Sequence, residues 1–274
     1  MTFENPQQKV EVVKMPQALK KARELMAEYR TNMNDFSDLY DPRAIESDKK
    51  YVAEMKARFS ISNTELHEKI NNELAEVFET IIFDEGESAN WFGENAFLIK
   101  TSEFDDIKNG IDMVVEYDEE EGVSRLAAAI DVTFGHNVTR KIDRIKQEIL
   151  SGKLGTVKYF ISQVANIRGE ITRVPRIIIG ADVDSVRGLV NEWVEKNSSH
   201  FAKHPIQFQI FDQAVLQCDY FADFARENGQ EEIAQAYDAM KKVLERNRKD
   251  REGQVGEDPH IRDSFMVDFV NYIK

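Results

Sequence analysis

The chain has 274 residues, one cysteine, 42% hydrophobic and 31% charged side chains, and a formal net charge of −14. That length allows one sizeable core with helical additions or two domains, the apolar share excludes a disordered chain, and the lone Cys218 excludes an internal disulfide. No run approaches the roughly 18–20 apolar residues that span a bilayer, and the opening MTFENPQQKVEVVK lacks a signal-peptide core, so a cytoplasmic protein without membrane contact is expected.

Pro16 fits the first turn of a helix that Ala18, Leu19, Ala22, Leu25, Met26 and Tyr29 continue to about Asn32. Residues 33–60 are polar and broken by Pro42, with room for a short helix near 48–58. A stronger amphipathic helix is predicted over 63–83, capped by Ser62 or Asn63, with Leu66, Ile70, Leu74, Val77, Phe78, Ile81 and Ile82 forming one stripe. After a Gly-containing loop at 84–94 come three β-type runs, 96–101, 111–117 and 126–134, the last two joined as a hairpin by an acidic connection. Thr139 caps the next helix, which runs to about Leu150 and stops at Gly152, with Val138, Ile142, Ile145 and Ile149 inward. Strands are predicted at 156–162 and 176–180, and a helix capped by Asp182 or Asp184 follows to about Glu195. Beyond Pro205 the pattern predicts helices at 206–227 and 231–248, a linker at 252–259 and a short final helix. The expected organisation is an N-terminal helical extension (1–60), an α/β core (61–204) and a C-terminal helical annex (205–274).

Two apolar runs each carry an aspartate. A symmetric hairpin centred between Glu121 and Gly122 pairs residues whose numbers sum to 243, which sets Asp112 opposite Asp131, with Cβ atoms about 4.5–5.5 Å apart. Like charges so placed need a cation between them or a proton on one of them. Oxygen ligands favour Mg or Mn. A solvated sheet face is the plainer expectation for two acids, but Ile111, Met113–Val115, Ala127–Ile130 and Val132 make both strands apolar on both faces.

A helix, three strands, a helix and a strand, with Gly110-Ile111-Asp112 opening the second strand and Asp131-Val132-Thr133 on the third, resemble the PD-(D/E)XK nuclease superfamily over residues 62–180. The resemblance implies a restriction-endonuclease-like mixed sheet, α-β-β-β-α-β-β with the helical additions, and metal-dependent hydrolysis of phosphodiester bonds in nucleic acid. It implies Asp112 and Asp131 as metal-binding catalytic acids. The family's lysine position holds Thr133, and members that draw the lysine from the following helix point to Lys141, one turn from its start. The family's acid from the first helix points to Glu73, beside Ile70, Leu74 and Val77 on the stripe, as a third ligand. Asp106, six residues before Asp112, could likewise approach the metal, but a loop acid or helix cap is the plainer expectation.

Charge is unevenly spread. Residues 103–121 hold nine acids and one base, whereas 136–176 hold nine bases and three acids. The basic segment, with Arg140, Arg144, Lys146 and Lys158, is expected to hold a nucleic-acid backbone, DNA favoured over RNA. The alternative is a catalytically inactive nuclease-fold module that binds nucleic acid or a protein partner, the latter through the C-terminal helices. The aromatic stretch Phe208–Phe224 reads as core packing, or else as a groove for that partner. His200 and His204 share an i, i+4 spacing without a third ligand in sequence, so no zinc site is expected, and the chain has no GxGxxG or GxxxxGK[ST].

Overall fold

The computed structural model describes residues 6–62, 66–118, 126–134, 138–195, 198–255 and 262–273. In chain order its elements are α1 (Pro6–Tyr29), α2 (Pro42–Ser62), α3 (Leu66–Ser88), β1 (Ala96–Lys100), β2 (Met113–Tyr117), β3 (Leu126–Phe134), α4 (Val138–Leu150), β4 (Gly155–Ile161), β5 (Arg168–Val174), β6 (Arg176–Ala181), α5 (Val183–Glu195), α6 (Ser198–Phe201), α7 (Ile206–Glu227), α8 (Glu231–Val255) and α9 (Ser264–Ile273).

The β-branched runs build a mixed four-stranded sheet in the order β1-β2-β3-β6. β1, β2 and β3 are antiparallel neighbours, and β6 lies parallel to β3 with Ile178 level with Asp131. Alternation divides their side chains. Leu98, Met113, Val115, Ala128 and Ile130 join α3 in the large core, while Ile99, Val114 and Ala129 join Val157, Phe160 and Val174 of the β4–β5 hairpin in a smaller one. Both faces are therefore covered, which accounts for strands without a polar side.

The edge strand β6 is protected by side chains. Gln217 of α7 accepts from Ile178 N–H (2.8 Å) and donates to Ile178 O (2.7 Å), and Gln213 does the same to Gly180 (2.9 and 2.8 Å). These amides satisfy backbone groups that a sheet edge would otherwise present unpaired. Gly180 has to be glycine, since a Cβ there would enter the Phe265 ring of α9.

Several boundaries differ from expectation. α1 begins at Pro6 and carries Pro16 inside it; a proline removes one helical hydrogen bond, and Ala18 and Ala22, buried against α3 and α5, hold the remainder. α2 spans 42–62, and its buried Ile45 and Val52 lie two turns apart, too sparse a stripe to read in sequence. α3 runs on through the expected loop to Ser88, with Gly86 packed on Leu98 and Phe92. The strand expected at 156–162 exists as β4 but leaves the main sheet: it pairs with β5, whose exposed Arg168, Glu170, Thr172 and Arg173 hid it. α8 extends into the expected linker as far as Val255 because Arg251 is buried on the carbonyls of Ala89 and Ala202. The hairpin turn at 119–125 and the rest of the linker, 256–261, lie outside the described residues. No described helix is long and apolar enough to cross a membrane.

Candidate metal centre

Between β1 and β2 the chain makes a single π-helical turn, Asp105–Asn109, closed by Gly110 at φ 59°. Asp105, not Asp106, pins this turn. Its buried carboxylate accepts from Lys158 N–H (2.7 Å) and Tyr159 N–H (3.0 Å) of β4, from Ser102 Oγ (2.7 Å) and from Asn109 Nδ2 (2.8 Å). Gly110 holds a left-handed backbone that other residues rarely adopt, and a Cβ there would have to displace the Arg144 guanidinium. With the structural work done by its neighbour, Asp106 turns its carboxylate to Arg30 Nη1 at 2.9 Å.

The β2–β3 register is the one the hairpin symmetry predicts: Met113 pairs with Ile130 and Tyr117 with Leu126. At Asp112 the ladder shifts by one residue. Its N–H donates to Ile130 O (2.9 Å), and its carboxylate Oδ2, rather than its carbonyl, accepts from Val132 N–H (2.7 Å). A strand amide lies near the sheet plane, so this bond turns the Asp112 carboxyl along the sheet instead of onto the face that Asp131 occupies. The carbonyl left over accepts from Thr101 Oγ1 (2.9 Å) and from the fully buried Lys100 ammonium (2.5 Å).

The acids that converge are therefore not the expected set. Carboxylate oxygens of Glu79, Asp106 and Asp112 lie within 4.8 Å of one another, the one such group among the described residues. Glu73 is absent from it and lies instead near Arg23; six residues further along α3, Glu79 reaches the end of the sheet and takes an ion pair from Lys100. Asp131 is also outside the group. Lys141 of α4 makes an ion pair with Asp131 Oδ1 and donates to Val132 O at 2.9 Å, so a helix lysine does stand beside the second acid, while Thr133 is buried one residue past that carbonyl. Glu79 and Lys100 were missed because neither sits in a motif. The available signal was a lysine and a glutamate placed among buried neighbours, Ile99 and Thr101 for one, Phe78 and Thr80 for the other.

Burial pushes the Asp112 carboxyl well above the usual carboxylate range, and Glu79, Asp106 and Asp131 push it the same way against Lys100. Glu79, Asp106 and Asp131 each have a cation of their own, in Lys100, Arg30 and Lys141. Asp112, 8% exposed, has only a backbone amide on its carboxylate among the described residues. The donor set suits a hard divalent cation. Trans ligands of an octahedral Mg ion are about 4.2 Å apart, so a spread of 4.8 Å needs only a small inward adjustment of side chains.

Most cations of the basic segment have partners within the chain. Lys158 is held by Asp48 (2.5 Å) among the rings of Tyr40, Phe104 and Tyr159, and Lys146 lies over Tyr220, Phe224 and Tyr272. Arg176 is buried on the Gly110 carbonyl (2.9 Å), Arg168 pairs with Asp38 and Arg173 with Glu232. Arg144 bonds Asn109 O (2.6 Å), and Arg140 on α4 and Lys153 after it are exposed. Local sequence counts charges without their partners, which come here from residues far along the chain.

His200 and His204 do meet a third group, Glu192, at 2.7 and 3.6 Å. Ile206 N–H donates to His204 Nδ1 (3.2 Å), which puts the neutral ring's proton on Nε2 and takes that nitrogen out of metal ligation. Against protein-family models, curated proteins and solved structures alike the chain finds no match, which leaves the site's own chemistry to carry the functional reading.

Proposed function

We propose that the chain is a metal-dependent phosphodiesterase acting on nucleic acid, with Mg or Mn held by Glu79, Asp106 and Asp112. The observation that carries the reading is Asp112: a buried carboxyl without a cation of its own, beside two further carboxylates at ligand spacing. The bound ion's chemistry is to lower the pKa of a water and to neutralise charge on a phosphate. Binding requires Asp112 to give up its proton, which couples affinity to pH. Lys141, fixed between Asp131 and the Val132 carbonyl, is the cation positioned to orient water or stabilise a developing phosphorane charge. Support for a restriction-endonuclease-like topology comes from the order of elements: α3, three antiparallel strands, α4, then β6 parallel to β3.

A second reading is favoured by one observation. Arg30, Lys100 and Lys141 already neutralise Asp106, Glu79 and Asp131, as a nuclease-fold module without catalysis, binding nucleic acid or a protein, would allow. Incubating the chain with single-stranded and duplex DNA and RNA in Mg²⁺, Mn²⁺ or EDTA decides between them. Cleavage in either ion and none in EDTA, with a Mn²⁺-induced rise in melting temperature that Asp112→Asn and Glu79→Gln abolish, supports the enzyme. A Glu73→Gln variant should keep both properties. No cleavage and no Mn²⁺ response in the wild type would leave the module.

A further inference from the structure

We propose that the cavity between α1, α2 and α3 seats a phosphate-bearing nucleotide of a single strand, and that Arg30 grips this phosphate once a divalent ion has taken Asp106 from it. The inference rests on the metal reading above and adds to it the seat and the order of binding. The cavity, about 540 Å³, is lined by Arg23 and Arg30 of α1, Lys56 of α2, Glu79 of α3, and Asp106. Two acids of the metal group thus open into it, with three cations around them. Its volume falls within the roughly 300–1,000 Å³ of small-ligand sites and suits one or two nucleotides rather than a duplex.

Charge sets the order. The lining holds three cations, Arg23, Arg30 and Lys56, against four carboxylates, Glu76, Glu79, Glu103 and Asp106, one negative charge in excess. Lys100, behind the lining, offsets that excess through its ion pair with Glu79, so the metal-free cavity offers phosphate no net attraction, and a bound divalent ion makes it positive. Each cation is meanwhile held by an acid: Arg30 by Asp106 at 2.9 Å, Arg23 by Glu76 at 3.0 and 3.2 Å, Lys56 by Glu103. The three pairs are not equivalent. The Arg23 and Lys56 side chains are 59% and 53% exposed, and such pairs exchange at little cost.

The Arg30 side chain is 23% exposed and sits deepest of the three. Among the described residues its guanidinium donates only to Asp106, through Nη1. The rest of its five-donor fork is free to meet phosphate oxygens in the bidentate manner that arginine favours. Asp106 cannot give its full charge to both an ion and Arg30, so an ion that takes Asp106 releases the fork beside itself.

Equilibrium binding of 5′-phosphorylated dithymidylate to the full chain, with and without Mn²⁺, tests the proposal, with Arg30→Gln, Arg30→Lys and Arg140→Ala alongside. The wild type should bind only with Mn²⁺. Arg30→Gln should weaken that binding roughly tenfold to a hundredfold yet keep the Mn²⁺-induced rise in melting temperature, at equal or lower Mn²⁺, because Asp106 has lost its competing cation. Arg30→Lys preserves the ion pair and the fold but not the fork, and should fall between. Dinucleotide binding that ignores Arg30→Gln, or is equally tight without Mn²⁺, overturns the proposal and leaves the metal reading standing. Binding lost in Arg140→Ala instead moves the seat to α4 and also overturns it. A wild type whose melting ignores Mn²⁺ removes the metal reading and, with it, this order of binding.

Discussion

The Lys141 ammonium lies between two groups of one strand: it makes an ion pair with the Asp131 carboxylate and donates to the Val132 carbonyl at 2.9 Å. The neighbouring amide, Val132 N–H, goes to Asp112 at 2.7 Å. One residue of β3 thus ties the positioned cation to the acid that lacks one. A substitution at 141 should therefore separate chemistry from metal binding.

Lys141→Met is expected to lower metal-dependent cleavage by about 10²–10³-fold, while the Mn²⁺-induced rise in melting temperature is kept. Lys141→Arg should recover part of the rate. A variant that loses the Mn²⁺ response along with the rate would make Lys141 a structural residue. Turnover and thermal melting on the same samples distinguish the outcomes.

Glu85, on the buried side of α3, titrates at about pH 7 because burial and Asp84 raise its carboxyl from 4.5 against the opposing pull of Lys21. A raised acid holds its proton more tightly folded than unfolded, so its contribution to stability is complete below about pH 4.5 and is lost as the pH climbs to about 7. Glu85→Gln removes that loss. Urea unfolding from pH 4.5 to 8 should show the variant gaining on the wild type across this window by up to roughly 3 kcal/mol, and a constant difference would place the titration elsewhere.

Gln213 spans the N–H and the C=O of Gly180 on the sheet edge. Gln213→Leu fills similar space and leaves the Gly180 N–H buried without a partner and its carbonyl with only the long bond from Gln209 Nε2 (3.4 Å), a loss of about 1–3 kcal/mol. Gln213→Glu keeps the acceptor and loses the donor, and should fall short of that cost only when the carboxyl is protonated, at low pH. Denaturant midpoints for both variants measure it; a Leu variant as stable as the wild type would mean that β6 is not protected in this way.

Asp112 and Asp131 show what the sequence by itself determined. The alternation of β2 and β3 and the symmetry about Glu121–Gly122 are local properties of one hairpin, and the pairing of Met113 with Ile130 follows from them. The stripe of α4, with Val138, Ile142, Ile145 and Ile149 buried, was legible for the same reason, as was that of α3 from Leu74 to Ile82, although Ile70, expected on the same stripe, is 40% exposed. The composition of the candidate site was decided by the tertiary structure. Glu79, Lys100 and Asp106 come from a helix, a strand and a π-helical turn that meet only after folding, and the choice of Glu79 over Glu73 turns on which turn of α3 reaches the end of the sheet. Partner choice was decided there too: Asp48 claims Lys158, and the rings of α7 and α9 claim Lys146, across separations no local pattern records. Periodicity reports which way a side chain faces. What it meets there depends on contacts closed over long stretches of chain, and those exist only in the packed molecule.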